Sequence, residues 1–390
     1  AITTGDANVA IGFRALDAED TGHNNTAVGF LALTALNYDG NGYNTAVGTQ
    51  AGAAVTTGTN NTLIGGLAGD ALTVGNSNVA LGYSALSADT KGDRNVAIGA
   101  NALMLQNFTT STDSFNTAVG ANAGYVLTTG IQNTLIGGLA GDALQDADNN
   151  VAIGASALTS DTLGSSTIAI GFGALYSQNF TSATNTYNVA VGHNAGLLVT
   201  TGVENTLIGG RAGDSLTDAD SNVAVGSNAL GVCVLGSGNT AIGTAALANT
   251  SPSSAANMIN TALGYAAGYN VTTGTNNLLL GNDSGRSGAP GGAITTGSNI
   301  ICLGNDDIAT AHIQVDWTVA SDARDKTDFT ALDLGLEFVK DLQPVTYKWD
   351  KRSKYGDKTA DDYDLNAQTP DGTHKEDWLD IGFKAQEVEA

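Results

Sequence analysis

The chain is expected to be mainly β, a repetitive parallel β-roll or β-solenoid followed by a small α+β domain. Three observations lead there. The first is a glycine that closes each Asn-x-Ala/Leu-aliphatic-Gly group, at Gly12, Gly29, Gly48, Gly65, Gly82, Gly99, Gly120, Gly137, Gly154, Gly171, Gly192, Gly209, Gly226, Gly243, Gly264, Gly281 and Gly304, mostly 17 residues apart. The second is a higher period. Gly48, Gly120, Gly192 and Gly264 are each 72 residues apart, and the Val/Leu-Thr-Thr-Gly signature ending at Gly58, Gly130, Gly202 and Gly274 keeps the same step. Fixed periods in this range mean stacked repeats rather than one globular core. The third is a break in composition near Ala320: only four of 51 glycines lie beyond it, whereas Trp317, Trp349 and Trp378 all lie after Gly304. The expected divisions are a repeat array at 1–305, a connecting strand at 306–320 and a C-terminal domain at 321–390.

Each unit offers two stretches with strand-like alternation, such as Asn78-Val79-Ala80-Leu81-Gly82 and then Gly82 to Leu86, separated by polar turns. Seventeen residues hold two strands and two turns but not a strand and a helix, and no 3.6-residue apolar period is present. Volumes are expected to be compensated between neighbours. Where the first strand carries Leu in place of Ala, at Leu63, Leu135 and Leu207, the residue after the closing glycine is also Gly, at Gly66, Gly138 and Gly210. The Asn before each strand (Asn44, Asn61, Asn78, Asn95) is read as a ladder of stacked side-chain amides, or else as a turn former only. Ala and Gly at core positions give a thin roll that buries little apolar area alone, which predicts association of several chains.

Charge narrows the partners. The net charge is -23, and residues 1–320 hold five Lys or Arg against 21 Asp or Glu. So acidic an array repels phosphate backbones, which excludes nucleic acid and anionic membranes as expected partners. No apolar run reaches the length of a membrane span, so no membrane insertion is expected. The chain begins in register with the repeat at Ile2-Thr3-Thr4-Gly5, so a piece of a longer protein is expected. Cys233 and Cys302 lie four units apart, roughly 19 Å at about 4.8 Å per coil, too far for a disulfide.

The Asn-Val-Ala-Ile-Gly units (Asn8 to Gly12, Asn95 to Gly99) resemble the head repeats of trimeric autotransporter adhesins, which form left-handed parallel β-rolls, and resemble still more the arrays of phage tail-fibre proteins. The resemblance covers about residues 1 to 304. It implies a homotrimer serving as shaft or adhesive surface.

Four extra residues per superrepeat enlarge one turn, at Met104 to Phe115, Tyr176 to Tyr187 and Ala248 to Ile259, with a shorter relative at Asn37 to Tyr43. These loops gather Tyr38, Tyr43, Phe108, Phe115, Tyr176, Phe180 and Tyr187 beside Asn, Thr and Ser, a mixture suited to stacking on glycan rings. The competing reading is that the rings plug the base of each loop. The turn carboxylates Asp146, Asp148, Asp218, Asp220, Asp306 and Asp307 are read as solvated turn residues rather than a calcium site, and His23 and His193 lack a metal-ligand spacing. No metal and no cofactor is expected. Regular Thr-x-Thr rows of an ice-binding face are missing, and no unique acidic pair suggests a glycosidase acting on an outside substrate.

Beyond Gly304, Ala311 to Val319 reads as a strand, Ala331 to Asp341 as a helix with Leu332, Leu336 and Val339 on one face, and Val345 to Trp349 as a strand. Three motifs, Ser-Asp-x-Arg-x-Lys at 321–326, Leu-x-Pro-Val-x-Tyr-x-Trp at 342–349 and Gly-Phe-x-Ala-Gln-Glu-Val at 382–388, resemble the intramolecular chaperone domain of endosialidases and other phage tailspikes, a self-cleaving serine peptidase family. The resemblance implies trimer assembly followed by one cut between Ser321 and Asp322, with Ser321 as nucleophile and Lys326 as base. An amine kept neutral by burial activates a hydroxyl in this way. A serine attacking its own carbonyl closes a strained four-membered ring, so attack from a neighbouring chain, or a path assisted by Asp322, belongs to the expectation. The competing reading makes Ser321-Asp322 a cap and Lys326 a surface charge. The family continues past the point where this sequence stops, so the chaperone is expected to be partial.

These readings combine into a trimeric virion tail fibre, about 80 Å of shaft from coils of about 4.8 Å. Its expected partners are two further copies of itself, a host-surface glycan or protein receptor, and other virion tail proteins. The alternative is a bacterial cell-surface adhesin of the same architecture.

Overall fold

The structure is a computed structural model, and it describes residues 3–312, 345–350, 355, 367–375, 377 and 379–382. The chain divides into two compact units, residues 1–311 and 312–390.

The first unit is a parallel β-solenoid. Seventeen strands of three residues each, from Val9–Ile11 to Ile301–Leu303, form one sheet in which every coil pairs in register with the next. Val9 stands opposite Thr26, for example, and Thr62 opposite Val79. No α-helix occurs among the described residues.

Three residues suffice because every strand of the sheet after the first delivers one side chain inward and two outward. The middle residue, such as Ala27, Ala46 or Leu63, is fully buried. Its flanks are mostly Val, Ile or Thr, which favour the pleated backbone. The closing glycine then turns the corner. At Gly65 φ is +133°, and a Cβ placed there would lie 2.4 Å from the carbonyl oxygen of Gly82 in the next coil. The coils stack backbone to backbone along this column, so the periodic glycine is a steric requirement of the stack.

The second strand expected in each unit does not form. Between Gly82 and Leu86 the chain makes tight turns, with Ser84 and Leu86 in the left-handed region at φ 51° and 54°. Ala85 donates its N–H back to Gly82, and Leu86 donates to Ala102 of the next coil at 3.0 Å. The physical reason lies in the core: Ala85 and Leu86 are adjacent and both fully buried, an arrangement that the two-residue alternation of a strand forbids.

Leucine also fills more of the interior than the sequence reading allowed. Leu16, Leu33, Leu86, Leu103, Leu158 and Leu175 stand four residues after closing glycines, and Leu72 and Leu144 seven after, all buried in one continuous core. The expected compensation at Gly66, Gly138 and Gly210 is also corrected. A Cβ at Gly210 would meet nothing within 4 Å, whereas one at Gly69 would lie 2.8 Å from Leu63 and 2.9 Å from Leu72. The space for Leu63, Leu135 and Leu207 comes from Gly52 and Gly69, Gly124 and Gly141, and Gly196 and Gly213, one glycine on either side of each leucine.

The amide ladder is present. Asn78 donates its backbone N–H and its Nδ2 to Oδ1 of Asn61, at 2.9 and 3.2 Å, and Nδ2 also reaches the carbonyl of Gly92 at 2.9 Å. Each amide therefore joins two coils and ties down its own turn. Thr167 interrupts the column and pairs its hydroxyl with that of Thr186 at 2.7 Å.

Candidate functional site

The loops depend on a substitution within the core. Seven residues past most closing glycines stands a buried Leu or Val, such as Leu72, Leu127 or Leu144. In the coil preceding each enlarged turn the same place holds Glu19, Asp89, Asp161 or Cys233, each fully buried. Asp89 accepts hydrogen bonds from Gly92 N at 3.0 Å, Phe108 N at 3.2 Å and Gln106 Nε2 at 2.7 Å. Gln106 in turn accepts from Nδ2 of the ladder residue Asn116 at 2.9 Å. One superrepeat later Asp161 takes the same donors from Gly164, Phe180 and Gln178, and Gln178 accepts from Asn188. Glu19 does likewise for the short loop, accepting from Gly22 and Tyr38. In three of the four loops a buried carboxylate thus holds the stem, and in the two that Asp89 and Asp161 anchor, short parallel pairings seal it, Gly92–Asp93 with Thr112–Asp113 and Gly164–Ser165 with Thr184–Asn185.

This network sorts the predicted contact residues. Phe108 and Phe180 are each only 6% exposed and close the loop base, so both are withdrawn as receptor contacts. Their backbone N–H groups are committed to the buried carboxylates, which draws the rings inward. Tyr38 is partly buried and packs against the core. Tyr43, Phe115, Tyr176 and Tyr187 are exposed. Tyr43, Phe115 and Tyr187 precede ladder asparagines in the left-handed conformation, at φ 50°, 50° and 51°. Arg94 lies 5.4 Å over the Phe115 ring and pairs with Asp113 at 2.6 Å. The anchors Asp89 and Asp161 were missed by the sequence reading. Their signal is a carboxylate in register with Leu72 and Leu144, one coil before the insertions at Met104 to Phe115 and Tyr176 to Tyr187.

The turn carboxylates have structural work. Asp148 and Asp220 accept the backbone N–H of Ile131 and Val203 from the preceding coil, both at 2.8 Å, and Asp146 accepts the Thr129 hydroxyl. No cluster of three metal-ligating side chains occurs among the described residues. Cys233 and Cys302 are both free and buried. Burial pushes the Cys233 thiol up to about 11. Since the thiolate is the nucleophile, Cys233 is expected to resist iodoacetamide at pH 8 in the folded protein and to react once urea unfolds it, as peptide mass mapping would show. Prompt modification of the native chain would contradict the burial.

In the second unit, strand Val345–Tyr347 pairs antiparallel with Asp380–Gly382, Val345 opposite Gly382. Two of the three C-terminal motifs therefore meet on one ladder. Tyr347 and Trp349 pack edge to face at 5.3 Å. The Tyr355 hydroxyl donates to Asp350 at 2.7 Å, and the other Asp350 oxygen accepts from Gly372 N at 2.7 Å. Asp371 lies below the usual carboxylate range because Thr373 donates to it through both hydroxyl and backbone. Ser321, Asp322 and Lys326 lie outside the described residues, as do most of the expected strand at 311–319 and the expected helix at 331–341.

One comparison with known families bears on this unit. Residues 321–390 match the family described as chaperone of endosialidase. The match begins at Ser321, the residue on which the proposed cut falls. The array is thus followed by a segment that matches an intramolecular chaperone family. No curated protein and no solved structure matches the chain.

Proposed function

We propose that the protein is the shaft and attachment surface of a homotrimeric phage tail fibre, assembled by its C-terminal chaperone, which then cuts itself off between Ser321 and Asp322. The observation that carries association between copies is an uninterrupted apolar column. The third residue of every strand in the seventeen-stranded sheet is Val, Ile or Leu, from Ile11 and Val28 through Ile136 and Ile208 to Leu303. Ile11 is 59%, Leu81 42% and Leu263 50% exposed in the single chain. A continuous apolar stripe along a solenoid is the kind of surface that marks an interaction face. An acidic chain finds no charge complement in a copy of itself, so copies meet through this neutral face.

The chaperone match supports assembly into a trimer. Attachment would work through multivalency, since three copies of each loop on a stiff rod let weak contacts add through effective concentration. Sedimentation equilibrium of the purified protein is the direct check on assembly. Three times the mass of one chain is expected, and a monomer at micromolar concentration would contradict the reading.

A further inference from the structure

One pocket on the array is built differently from its equivalent 72 residues earlier. It has a volume of about 320 Å³ and is lined by Phe172, Gly173, Tyr176, Asn194, Leu197 and Leu198, with Ser177 at its side. At the earlier place, Nδ2 of Asn101 donates to Oδ1 of Asn122 at 3.0 Å. Asn194 takes the place of Asn122, but Gly173 takes the place of Asn101. Oδ1 of Asn194 is accordingly buried without a hydrogen-bond partner. A Cβ at Gly173 would come within 2.7 Å of that oxygen, so the missing side chain is what leaves it bare. Phe172 and Tyr176 stand where the earlier coil has Ala100 and Met104. Both rings are exposed, as is Leu198, and Phe172 is stacked on His193 at 5.4 Å.

We infer that this pocket takes a neutral acetamido sugar, as a subsite of the attachment surface proposed above, on which the inference rests. An acetamido group supplies both things the pocket lacks. Its N–H replaces the donor removed at Gly173, and its methyl packs on Leu197, Leu198 and Phe172. Tyr176 offers a ring face for the pyranose. A buried acceptor left unpaired is costly, so a ligand that satisfies it is selected over one that does not. No carboxylate, lysine or arginine lines the pocket, and the acidic array repels anionic sugars, which points to a neutral ligand.

The experiment is saturation-transfer NMR and calorimetry on the full chain with N-acetylglucosamine and N-acetylgalactosamine. Glucose and galactose test the acetamido group, and N-acetylneuraminic acid tests the charge. The acetamido sugars are expected to bind at least about tenfold tighter than their parent sugars, a difference of about 1.4 kcal/mol. Gly173→Asn is expected to abolish binding while leaving the fold intact. Asn tolerates the left-handed conformation and occupies the same place at Asn101, where φ is 58°. Tyr176→Ala gives a second reading that leaves the coil stack untouched. The inference is overturned if no acetamido sugar binds, if the parent sugars bind equally, or if Gly173→Asn binds as the wild type does. Adsorption of the labelled protein to bacterial cells separates the two layers. Wild-type adsorption that persists unchanged in Gly173→Asn removes this pocket from the attachment surface but leaves attachment standing. If the wild-type chain adsorbs to no cells, the attachment reading falls, and the sugar titration still judges the pocket.

Discussion

Gly209→Ala is expected to destabilise the array by about 3 kcal/mol or more, whereas Gly210→Ala, one residue later, should be neutral or stabilising by up to about 1 kcal/mol. Gly209 has φ +135°, and a Cβ there would lie 2.7 Å from both the carbonyl carbon and oxygen of Gly226. Backbone cannot rotate away as a side chain can, so the two coils must separate. A Cβ at Gly210 meets nothing within 4 Å, and its only effect is to restrict the unfolded chain. Urea unfolding of both variants at matched protein concentration, followed by circular dichroism, compares them directly. In a solenoid each coil contacts only its neighbours, so the Gly209 variant should lose cooperativity as well as stability. Equal losses in the two variants would mean that the glycine column does not set the coil spacing.

The second large effect is expected at Asp89. Asp89→Leu restores the residue type found at Leu72 but leaves Gly92 N, Phe108 N and Gln106 Nε2 without their common acceptor. Orphaned buried donors cost about 1–3 kcal/mol each, so a loss of about 3–5 kcal/mol is expected, concentrated in the loop from Met104 to Phe115. Hydrogen exchange should show that loop opening while distant coils stay protected. Burial raises the Asp89 carboxyl above its ordinary 3.8, against the opposing hydrogen bonds. The folded state therefore binds more protons than the unfolded state above pH 3.8. Stability from this group falls as pH rises through the raised value, and the advantage of wild type over Asp89→Leu narrows in the same direction. A variant with unchanged exchange in this loop would show that the carboxylate does not anchor it.

Much of this was readable because a solenoid turns sequence period into spatial neighbourhood. The closing glycines and the Asn column identify residues that touch 17 positions away, and the structure pairs them so. What failed was inference between residues adjacent in sequence. Leu63 and Gly66 share a unit, yet the space for Leu63 comes from Gly69 and from Gly52 of the preceding coil. The second strand failed for a related reason. A row of alternate residues looks extended, but Ser84 and Leu86 are left-handed. Four residues past the closing glycine, two coils with Leu are followed by two with Gly, and those glycines make room for Leu63, Leu135 and Leu207. Asp89 and Asp161 are not legible as anchors from sequence alone, because carboxylates are rarely buried and a turn Asp is ordinarily solvated. Of the loop aromatics, exposure separates Tyr43, Phe115, Tyr176 and Tyr187 from Phe108 and Phe180, a distinction that depends on which backbone N–H groups the anchors claim. At the C-terminus three short motifs were enough to point to the chaperone family, because their order and spacing carry more information than the composition around them.

The central claim is the proposed fibre, assembled by a chaperone segment that then cuts itself off. The intact mass of the complete gene product, expressed in bacteria beside a Ser321→Ala control, tests it most directly. The account predicts a wild-type product ending at Ser321 and an uncut control, both trimeric. A wild-type chain that keeps its full mass, or a cut that persists in Ser321→Ala, would contradict it.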